Sequence, residues 1–318
     1  MKKLLICSLA ICLALFASCS KDSSSSNSNN SGGGGGSQTT GKRISEIYYN
    51  YTHKDYISYD NGLTWTLENS SSSDNTLSQV WHWNNDNLLS IDYYYQGEVD
   101  GTDNLIYNDA GLVSKIVYTY EGEESETAEL SYNGATISQM KFFYHGIMES
   151  AFDISYANNK PVRVTCTYMS DDKMMSKHGK RFIKNIFKTD EISSKDGSLP
   201  YTVLTWTGNN LTKLQRFNSE SEYNSTYTYD NKNNPYYGGN SLTAYVFAWG
   251  SAEELSQNNV LSETYNEDGE IHTNNYTYNY FENYPMQVHE TYENIYQYSD
   301  YWSKYISEYT HSYSYLTD

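Results

Sequence analysis

A unit of about 24 residues recurs along this chain, and no other feature limits the fold as strongly. Each copy places an aromatic residue before a polar turn rich in glycine or asparagine, and a run of β-branched or aromatic residues follows. The clear copies begin at Trp83, Tyr107, Tyr132, Tyr156, Trp206 and Tyr229, and weaker copies begin at Tyr59 and Tyr265. Regular spacing of this kind is typical of folds that repeat one small supersecondary unit.

The copy that begins at Tyr107 indicates what one unit is. Residues Asn108–Gly111 have the composition of a type I turn with glycine in the left-handed position, which closes a β-hairpin. In the strand that follows, simple alternation predicts Leu112 and Ile116 on one face and Val113 on the other. A second, more acidic turn returns the chain, so each unit is predicted to contain two strands and two turns.

Residues 42–318 have room for roughly eight to ten units, or about 16 to 20 sequential strands. The alternation sets tyrosine against polar residues, and the chain has 35 tyrosines but only 9 phenylalanines. A tyrosine packs through its ring while its hydroxyl keeps a polar partner, so these strands suit a sheet whose faces are only partly shielded from water. We predict an all-β fold, a long antiparallel meander of β-hairpin repeats that curls as an open sheet or closes into a wide barrel.

One segment breaks the alternation, and we predict an irregular or helical insert near residues 169–200. One repeat is missing there, between Tyr156 and Trp206, and residues 169–188 are rich in lysine and methionine. Four apolar residues fall at helical spacing, namely Phe182, Ile183, Ile186 and Phe187. The segment is either a helix or loop that plugs or crosses the sheet, or a basic docking element for an acidic glycan or a partner.

The first 18 residues have the composition of a secretory signal peptide. Lys2 and Lys3 precede an apolar run of about 13 residues, which is too short to cross a bilayer as a helix. The run ends in Phe16-Ala17-Ser18-Cys19, which resembles the lipobox of bacterial lipoproteins. The resemblance implies that Cys19 becomes the lipid-bearing N-terminus. The alternative is an incidental cysteine beside an ordinary cleavage site.

A flexible tether is predicted after Cys19. From Ser20 to Gly41 the chain has no aliphatic or aromatic side chain, so this segment cannot form a core, and its 22 residues would span about 25 Å as a coil. The predicted organisation is therefore a signal peptide (1–18), a lipidated cysteine with its linker (19–41) and one tyrosine-rich β domain (42–318).

The residues after Cys19 also predict a location. An aspartate directly after the cysteine resembles an inner-membrane retention signal, and Ser20 stands there instead. The run Ser20-Lys21-Asp22 resembles the start of the export signals of Bacteroidota-type surface lipoproteins. These resemblances imply a domain that is lipid-anchored at the outer membrane and faces the cell exterior.

Charge and cysteine content restrict the partners and the bonds of the β domain. Loss of Lys2 and Lys3 with the signal changes the formal net charge from −18 to about −20, which disfavours nucleic acids. Cys7 and Cys12 leave with the signal and Cys19 takes the lipid, so Cys166 is the one remaining thiol and no intramolecular disulfide can form. We predict that Cys166 is a small buried side chain.

Motifs of known catalytic sites do not occur in the sequence. The seven histidines are scattered singly, without metal-binding spacing. Adjacent carboxylates occur at Glu123-Glu124, Asp171-Asp172 and Glu253-Glu254, but such pairs are typical of solvated turns. We therefore expect no catalytic residue, no metal and no cofactor, and an enzyme is the less favoured interpretation.

Trp81 and Trp83 are the candidate ligand-binding residues. With one residue between them in a predicted strand, their two indoles lie on the same face. Aromatic rings on an open sheet face can stack against sugars, but tryptophan in a strand can equally be part of the packing.

The repeat as a whole resembles the YD-repeat sheets of Rhs-type proteins. It is more similar to Bacteroidota-type outer-membrane lipoproteins of unknown function that are described as having a porin-like β fold. The copies at Tyr107-Asn108 to Gly111 and at Tyr265-Asn266 to Gly269 carry the resemblance best. It implies a fold and no activity. A true porin is disfavoured, because its lipid-facing strands would show aliphatic bands and aromatic girdles.

Two functions remain open. The first is a non-enzymatic surface lipoprotein that binds or scaffolds a polysaccharide or a protein partner. The second is a glycan hydrolase whose carboxylates converge only in the fold. A third possibility, a shell or plug partner in an export or toxin complex, follows from the YD-like resemblance alone.

Overall fold

The computed structural model describes residues 42–170, 176–187, 200–217, 222–267 and 270–316. Its 17 strands form one sheet, and consecutive strands pair antiparallel except β2 and β3, which both pair with β1. The last strand pairs with the first, from Ile44 opposite Tyr315 to Ser58 opposite Trp302. Because this pairing joins the two ends of the meander, the sheet is a closed barrel. The predicted signal peptide, Cys19 and the predicted linker (1–41) lie outside the described residues.

The first ten strands are β1 (Ile44–Ser58), β2 (Thr66–Ser72), β3 (Thr76–Asn84), β4 (Asn87–Tyr95), β5 (Glu98–Tyr107), β6 (Val113–Tyr120), β7 (Glu123–Asn133), β8 (Thr136–Tyr144), β9 (Ile147–Ala157) and β10 (Lys160–Met169). The remaining strands are β11 (Tyr201–Thr207), β12 (Asn210–Phe217), β13 (Glu222–Asn233), β14 (Asn258–Glu267), β15 (Glu270–Phe281), β16 (Tyr284–Gln297) and β17 (Trp302–Tyr315). Two short helices, α1 (Lys177–Phe182) and α2 (Asn240–Trp249), lie between them.

Two of the 17 strands occupy one position around the barrel. The N-terminal part of β1 (Glu46–Tyr49) pairs with β3, and its C-terminal part (Thr52–Ile57) pairs with β2. Strands β2 and β3 are therefore successive pieces of one strand. The wall is therefore a 16-strand barrel. The predicted all-β meander of hairpin repeats is confirmed, and barrel closure decides between the two forms that the sequence left open.

The repeated aromatic residue marks a β-bulge at one rim of the barrel. The strand register shifts by one residue directly before Trp83, Tyr107, Tyr132, Trp206 and Tyr229. Bulges are frequent at barrel rims, where they increase the local twist. Simple alternation placed Val113 and Ile116 on opposite faces of the strand, and this prediction was wrong. Because the bulge shifts the alternation by one residue, both side chains are fully buried.

The same aromatic residues hydrogen-bond to the neighbouring unit. The Tyr107 hydroxyl donates to the carbonyl of Leu88 at 2.6 Å, and the Tyr132 hydroxyl donates to that of Val113 at 2.7 Å. The side chains of three further repeat residues donate equivalent bonds to backbone carbonyls: Trp83 to Ile44, Trp206 to Pro161 and Tyr229 to Leu211. Tyr278 of β15 donates to the carbonyl of Val260 in the same way. A ring with a polar tip is required at this position, because it packs inward and also satisfies a rim carbonyl.

The inner and outer faces of the wall differ sharply in polarity. One inner row, across four adjacent strands, contains Leu130, Met140, Phe152 and Cys166, all buried. One outer row, across β13 to β17 and on to β1, contains Thr228, Ser262, Asn275, Thr291, Glu308 and Thr52. The apolar side chains of the first row thus face the barrel interior, and this outer row is polar throughout.

Two helical segments fill the interior, one from each end. Helix α1 and the π-helical segment Ile183–Phe187 come from the β10–β11 connection, and α2 comes from the β13–β14 connection. The Asn185 side chain donates to the carbonyl of Gly250 at 2.9 Å, which links the two segments. Phe182 and Trp249 both pack on Phe142 of the wall. The barrel is therefore plugged.

The prediction of an irregular or helical insert near 169–200 is confirmed: its described part is helical, and its four apolar residues are all buried. The prediction that a repeat is missing was wrong. Strands β10 and β11 pair directly, with Val164 opposite Thr202, so Trp206 belongs to the next unit in the ring. Residues 176–187, the described part of the connection that follows Ser170, pack into the interior instead. Of the basic segment, residues 171–175 and 188 lie outside the described residues.

Cys166 is buried as predicted, and burial raises the pKa of its thiol to about 11, which keeps it protonated. In the described part of the chain, no helix has the length and apolar character of a membrane span.

Candidate functional site

The two rims of the barrel have different roles. Because the strands alternate in direction, the turns after the odd-numbered strands from β3 onward lie at one end, which we call the signature rim. Residue Ile44 starts β1 at this rim, so the chain enters the barrel there. At the far rim, parts of β16, β17, β1 and β2 continue beyond the last pair of β15 with β16, Asn275 opposite Thr291. This extension exposes Tyr59, which is part of one weak copy of the repeat.

A cleft of about 450 Å³ opens at the signature rim, between the wall and the segment that leads into α2. Its volume falls within the range of about 300–1,000 Å³ that is typical of small-molecule sites. Part of the lining comes from three hairpin turns (Ala135–Ile137, Tyr156–Pro161 and Trp206 with Asn209). The rest comes from the β13–β14 connection with α2, which we call the plug (Tyr236–Gly238, Asn240, Thr243, Phe247 and Leu255).

Aromatic rings form the walls of the cleft. Tyr156 and Trp206 are repeat residues from adjacent units, and each is half-buried. Tyr236 and Phe247 are buried beneath them, whereas Tyr237 remains 41% exposed. The Trp206 indole is held in place by its bond to the carbonyl of Pro161 at 2.7 Å. The cleft therefore has rigid aromatic sides and one accessible ring.

Amide side chains supply most of its polar groups. Asn158 and Asn159 form a tight turn in which both have positive φ, 51° and 59°, a geometry that favours asparagine or glycine. Both side chains are exposed. The Asn209 amide donates to Gln257 at 2.8 Å, and the Lys160 ammonium donates to the carbonyl of Gly208. The described residues that line the cleft include no aspartate or glutamate.

Trp81 and Trp83, the candidate residues from the sequence, lie elsewhere. Their rings stack with centroids 6.2 Å apart, but Trp81 is only 3% exposed and packs against Tyr236 and Tyr245. Their indole nitrogens donate to Gln79 and to the carbonyl of Ile44. The two rings are thus part of the interior packing, the other role that the sequence left open.

The adjacent carboxylates do not form a joint site. Glu123 and Glu124 are exposed at the start of β7, directly after a hairpin turn. Glu254 is buried and caps a short 3₁₀ helix by accepting from the Ser251 backbone at 3.0 Å. Asp171-Asp172 lies outside the described residues. Within those residues, no group of three or more His, Cys, Asp or Glu side chains has the geometry of a metal site.

Glu253 of the Glu253-Glu254 pair lies near two other carboxylates inside the barrel, Glu263 and Glu290. Burial raises the pKa of Glu290 to about 7; a hydrogen bond from Tyr276 opposes this shift, and the nearby charges of Glu263 and Glu253 add to it. Glu263 itself accepts from Ser225 at 2.8 Å and from Tyr227 at 3.1 Å. None of these carboxylates lines the cleft.

The substitution Glu290→Gln should stabilise the protein at alkaline pH. Between pH 4.5, the ordinary pKa of a glutamate, and pH 7, the folded state holds a proton that the unfolded state releases. Stability due to Glu290 therefore falls as the pH rises across this window and stays low above it. We expect the variant to exceed the parent by on the order of 2 kcal/mol at pH 8 and to match it at pH 4.

Urea unfolding of both proteins at each pH measures this difference. The comparison of variant with parent is necessary because burial lowers the pKa of His311 to about 4, so His311 destabilises the fold as the pH falls from 6.5 to 4. Both proteins share that contribution, and it cancels in the difference. A variant that is no more stable than the parent at pH 8 would show that Glu290 is solvated.

No known family model matches the chain, and no curated protein matches its sequence. Among solved structures, it is similar to a porin-like protein from Bacteroides uniformis, with 14% identity, a TM-score of 0.47 and coverage of 86% of this chain and 96% of that one. A porin-like protein from Bacteroides vulgatus gives 8% identity, a TM-score of 0.29 and coverage of 87% and 100%. The fold assignment above rests on the strand pairing.

Proposed function

We propose that this protein is a non-enzymatic binding protein, anchored by lipid on Cys19 to the outer membrane and displayed in water on the cell surface. The observation that carries this proposal is the polarity of an outer row that crosses six strands of the barrel wall. A barrel embedded in lipid needs a continuous apolar outer band, and a charged side chain in the middle of that band costs about 2–4 kcal/mol. The outer row from Thr228 to Thr52 has only polar side chains, and Glu308 is one of them.

The plugged interior supports binding rather than transport. Helix α2 and the segment from α1 to Phe187 pack into the lumen, where a pore would need a water-filled passage. The linker enters at the signature rim, so the far-rim extension reaches farthest from the anchor. A barrel that neither crosses the membrane nor conducts solutes depends on a lipid anchor for its location. The lipobox-like sequence at Cys19 agrees with this.

The cleft supports binding rather than hydrolysis. Glycosidases generally use two carboxyl groups on either side of the scissile bond. The described lining residues contain no carboxylate, and Lys160 is the one charged side chain among them. The site can hold a ligand through rings and amides but has no acid or base to cleave it.

Glycan hydrolysis is the second candidate function, and Glu290 favours it. A carboxyl group with a pKa near 7 is suited to act as a general acid at neutral pH. If the protein is a hydrolase, a screen on cell-wall and dietary polysaccharides will find turnover that Glu290→Gln abolishes. Turnover that Glu290→Gln leaves intact would count against this residue.

Cysteine labelling in intact cells tests the display of the wall in water. The buried Cys166 gives little background once Cys19 carries lipid, so a new thiol can be read alone. We expect Asn275→Cys and Asp153→Cys, on opposite sides of the outer wall, to react with a membrane-impermeant maleimide. The matched inward variant Met140→Cys should react only after unfolding, because Met140 is buried.

The labelling pattern separates the parts of the proposal. Protection of both outer positions in intact cells, but not in opened ones, would contradict exposure on the cell surface. Protection that persists until detergent is added would contradict a water-facing wall, and the barrel would then lie in the membrane.

A further inference from the structure

We propose that the cleft at the signature rim binds an uncharged saccharide. This inference names the ligand class of the binding protein proposed above, and it rests on that proposal only for the assumption that the cleft binds rather than cleaves. Three properties of the cleft carry it: its rings, its amides and its charge.

The rings provide flat apolar surfaces of the size of a sugar. The apolar faces of a pyranose pack against aromatic side chains, whose polar tips stay available for hydrogen bonds. In the cleft, the Trp206 indole is fixed by its hydrogen bond to the carbonyl of Pro161, and Tyr156 is half-buried beside it. Tyr237, 41% exposed, stands at the opening. A ring that is already immobile loses little conformational freedom when a ligand packs on it.

The amides match hydroxyl groups. A sugar hydroxyl both donates and accepts, and an asparagine side chain offers a carbonyl acceptor together with two donors. The exposed Asn158 and Asn159 lie at one edge of the cleft and Asn209 at another. Groups with both polarities on two sides of a cleft can bind several hydroxyls of one sugar at once.

The charge of the cleft favours neutral ligands. No aspartate or glutamate is among its described lining residues, although the chain as a whole has 39 of them. Its single cation, Lys160, already donates to the carbonyl of Gly208 and lies 5.9 Å from the centroid of the Trp206 ring. A free cation would favour uronic acids or phosphate, and a carboxylate would favour an amine. An uncharged saccharide fits the remaining groups.

The test uses the full mature lipoprotein in detergent micelles and isothermal titration calorimetry. The probes are neutral hexasaccharides (maltohexaose, cellohexaose, xylohexaose and mannohexaose) with hexagalacturonate as the charged comparison. We expect at least one neutral probe to bind and hexagalacturonate to bind more weakly than that probe. Failure of all four neutral probes to bind would overturn the proposal, as would tighter binding of the charged probe.

Two variants place the binding in the cleft. Tyr237→Ala removes the accessible ring, and the double variant Asn158→Gly with Asn159→Gly removes two amides while keeping a residue that tolerates positive φ. We expect each to weaken binding about tenfold or more. The control Tyr95→Ala removes a ring that is 66% exposed at the far rim and should leave binding unchanged.

The variants also separate this inference from the proposed display function. Unchanged thermal unfolding would show that the variants are folded, and binding that neither cleft variant weakens would overturn the assignment of the site. Surface labelling at Asn275 and Asp153 is independent of the ligand. It can succeed while saccharide binding fails, or fail while binding succeeds.

Discussion

Replacing Trp249 with alanine should destabilise the protein by about 3–5 kcal/mol, the range for loss of a fully buried tryptophan. Trp249 ends helix α2 and has no exposed surface. Its ring packs on Phe142 of the wall with centroids 5.8 Å apart, close to the contact between Phe142 and Phe182. The alanine would leave a cavity where the two inserted segments meet, and rigid strands cannot collapse to fill it.

Thermal unfolding measures the effect. For a domain of this size, a loss of about 4 kcal/mol lowers Tm by on the order of 10 °C. The control is Ile106→Ala, which removes an aliphatic side chain that is 47% exposed on the outer wall and should change stability by less than about 0.5 kcal/mol. Equal Tm values for the two variants would contradict the packing of α2 into the barrel.

Replacing Cys19 with alanine should release nearly all of the protein from the membrane. Each buried CH₂ of an acyl chain contributes about 0.8 kcal/mol to membrane binding, so two chains together hold a protein firmly. The outer row from Thr228 to Thr52 offers no replacement, because its side chains are all polar. We expect the variant to incorporate no labelled palmitate and to move from the membrane pellet to the soluble fraction on ultracentrifugation.

The matched control is Cys166→Ala, which removes the only other thiol of the processed chain and should keep both the lipid and the membrane location. If Cys19→Ala lost the label but still sedimented with membranes, another part of the protein would bind lipid. If it kept the label, the lipobox assignment would be wrong.

The sequence determined the strand architecture because that information is local. The unit of about 24 residues, with its turn and its two strands, lies within a short stretch of chain, so its repetition sets the antiparallel order and the approximate strand number. The helical spacing of Phe182, Ile183, Ile186 and Phe187 is local in the same way, and it correctly indicated the first inserted segment.

The second inserted segment escaped prediction, although a signal for it exists. Residues 234–252 contain no Asp, Glu, Lys or Arg, and Gly238 and Gly239 precede Asn240. A long uncharged run of this kind fits a buried helix as well as a buried strand, and periodicity does not separate the two when all sides are buried. Helix α2 is surrounded by wall residues, so its apolar side chains have no single face.

Only the tertiary structure decided the features that depend on distant residues. Closure requires Ile44 to meet Tyr315, and no local pattern encodes that meeting. The burial of Trp81 also depends on distant residues. Strand alternation predicts that a strand has two faces, but it does not predict which face the plug covers.

The cleft, too, depends on the tertiary structure, since three hairpin turns and the plug, far apart in the chain, line it. Its asparagines and its lysine look like ordinary turn residues in the sequence. They become a candidate site only because strand pairing brings every second turn to the same rim, where Tyr237 of the plug completes the wall.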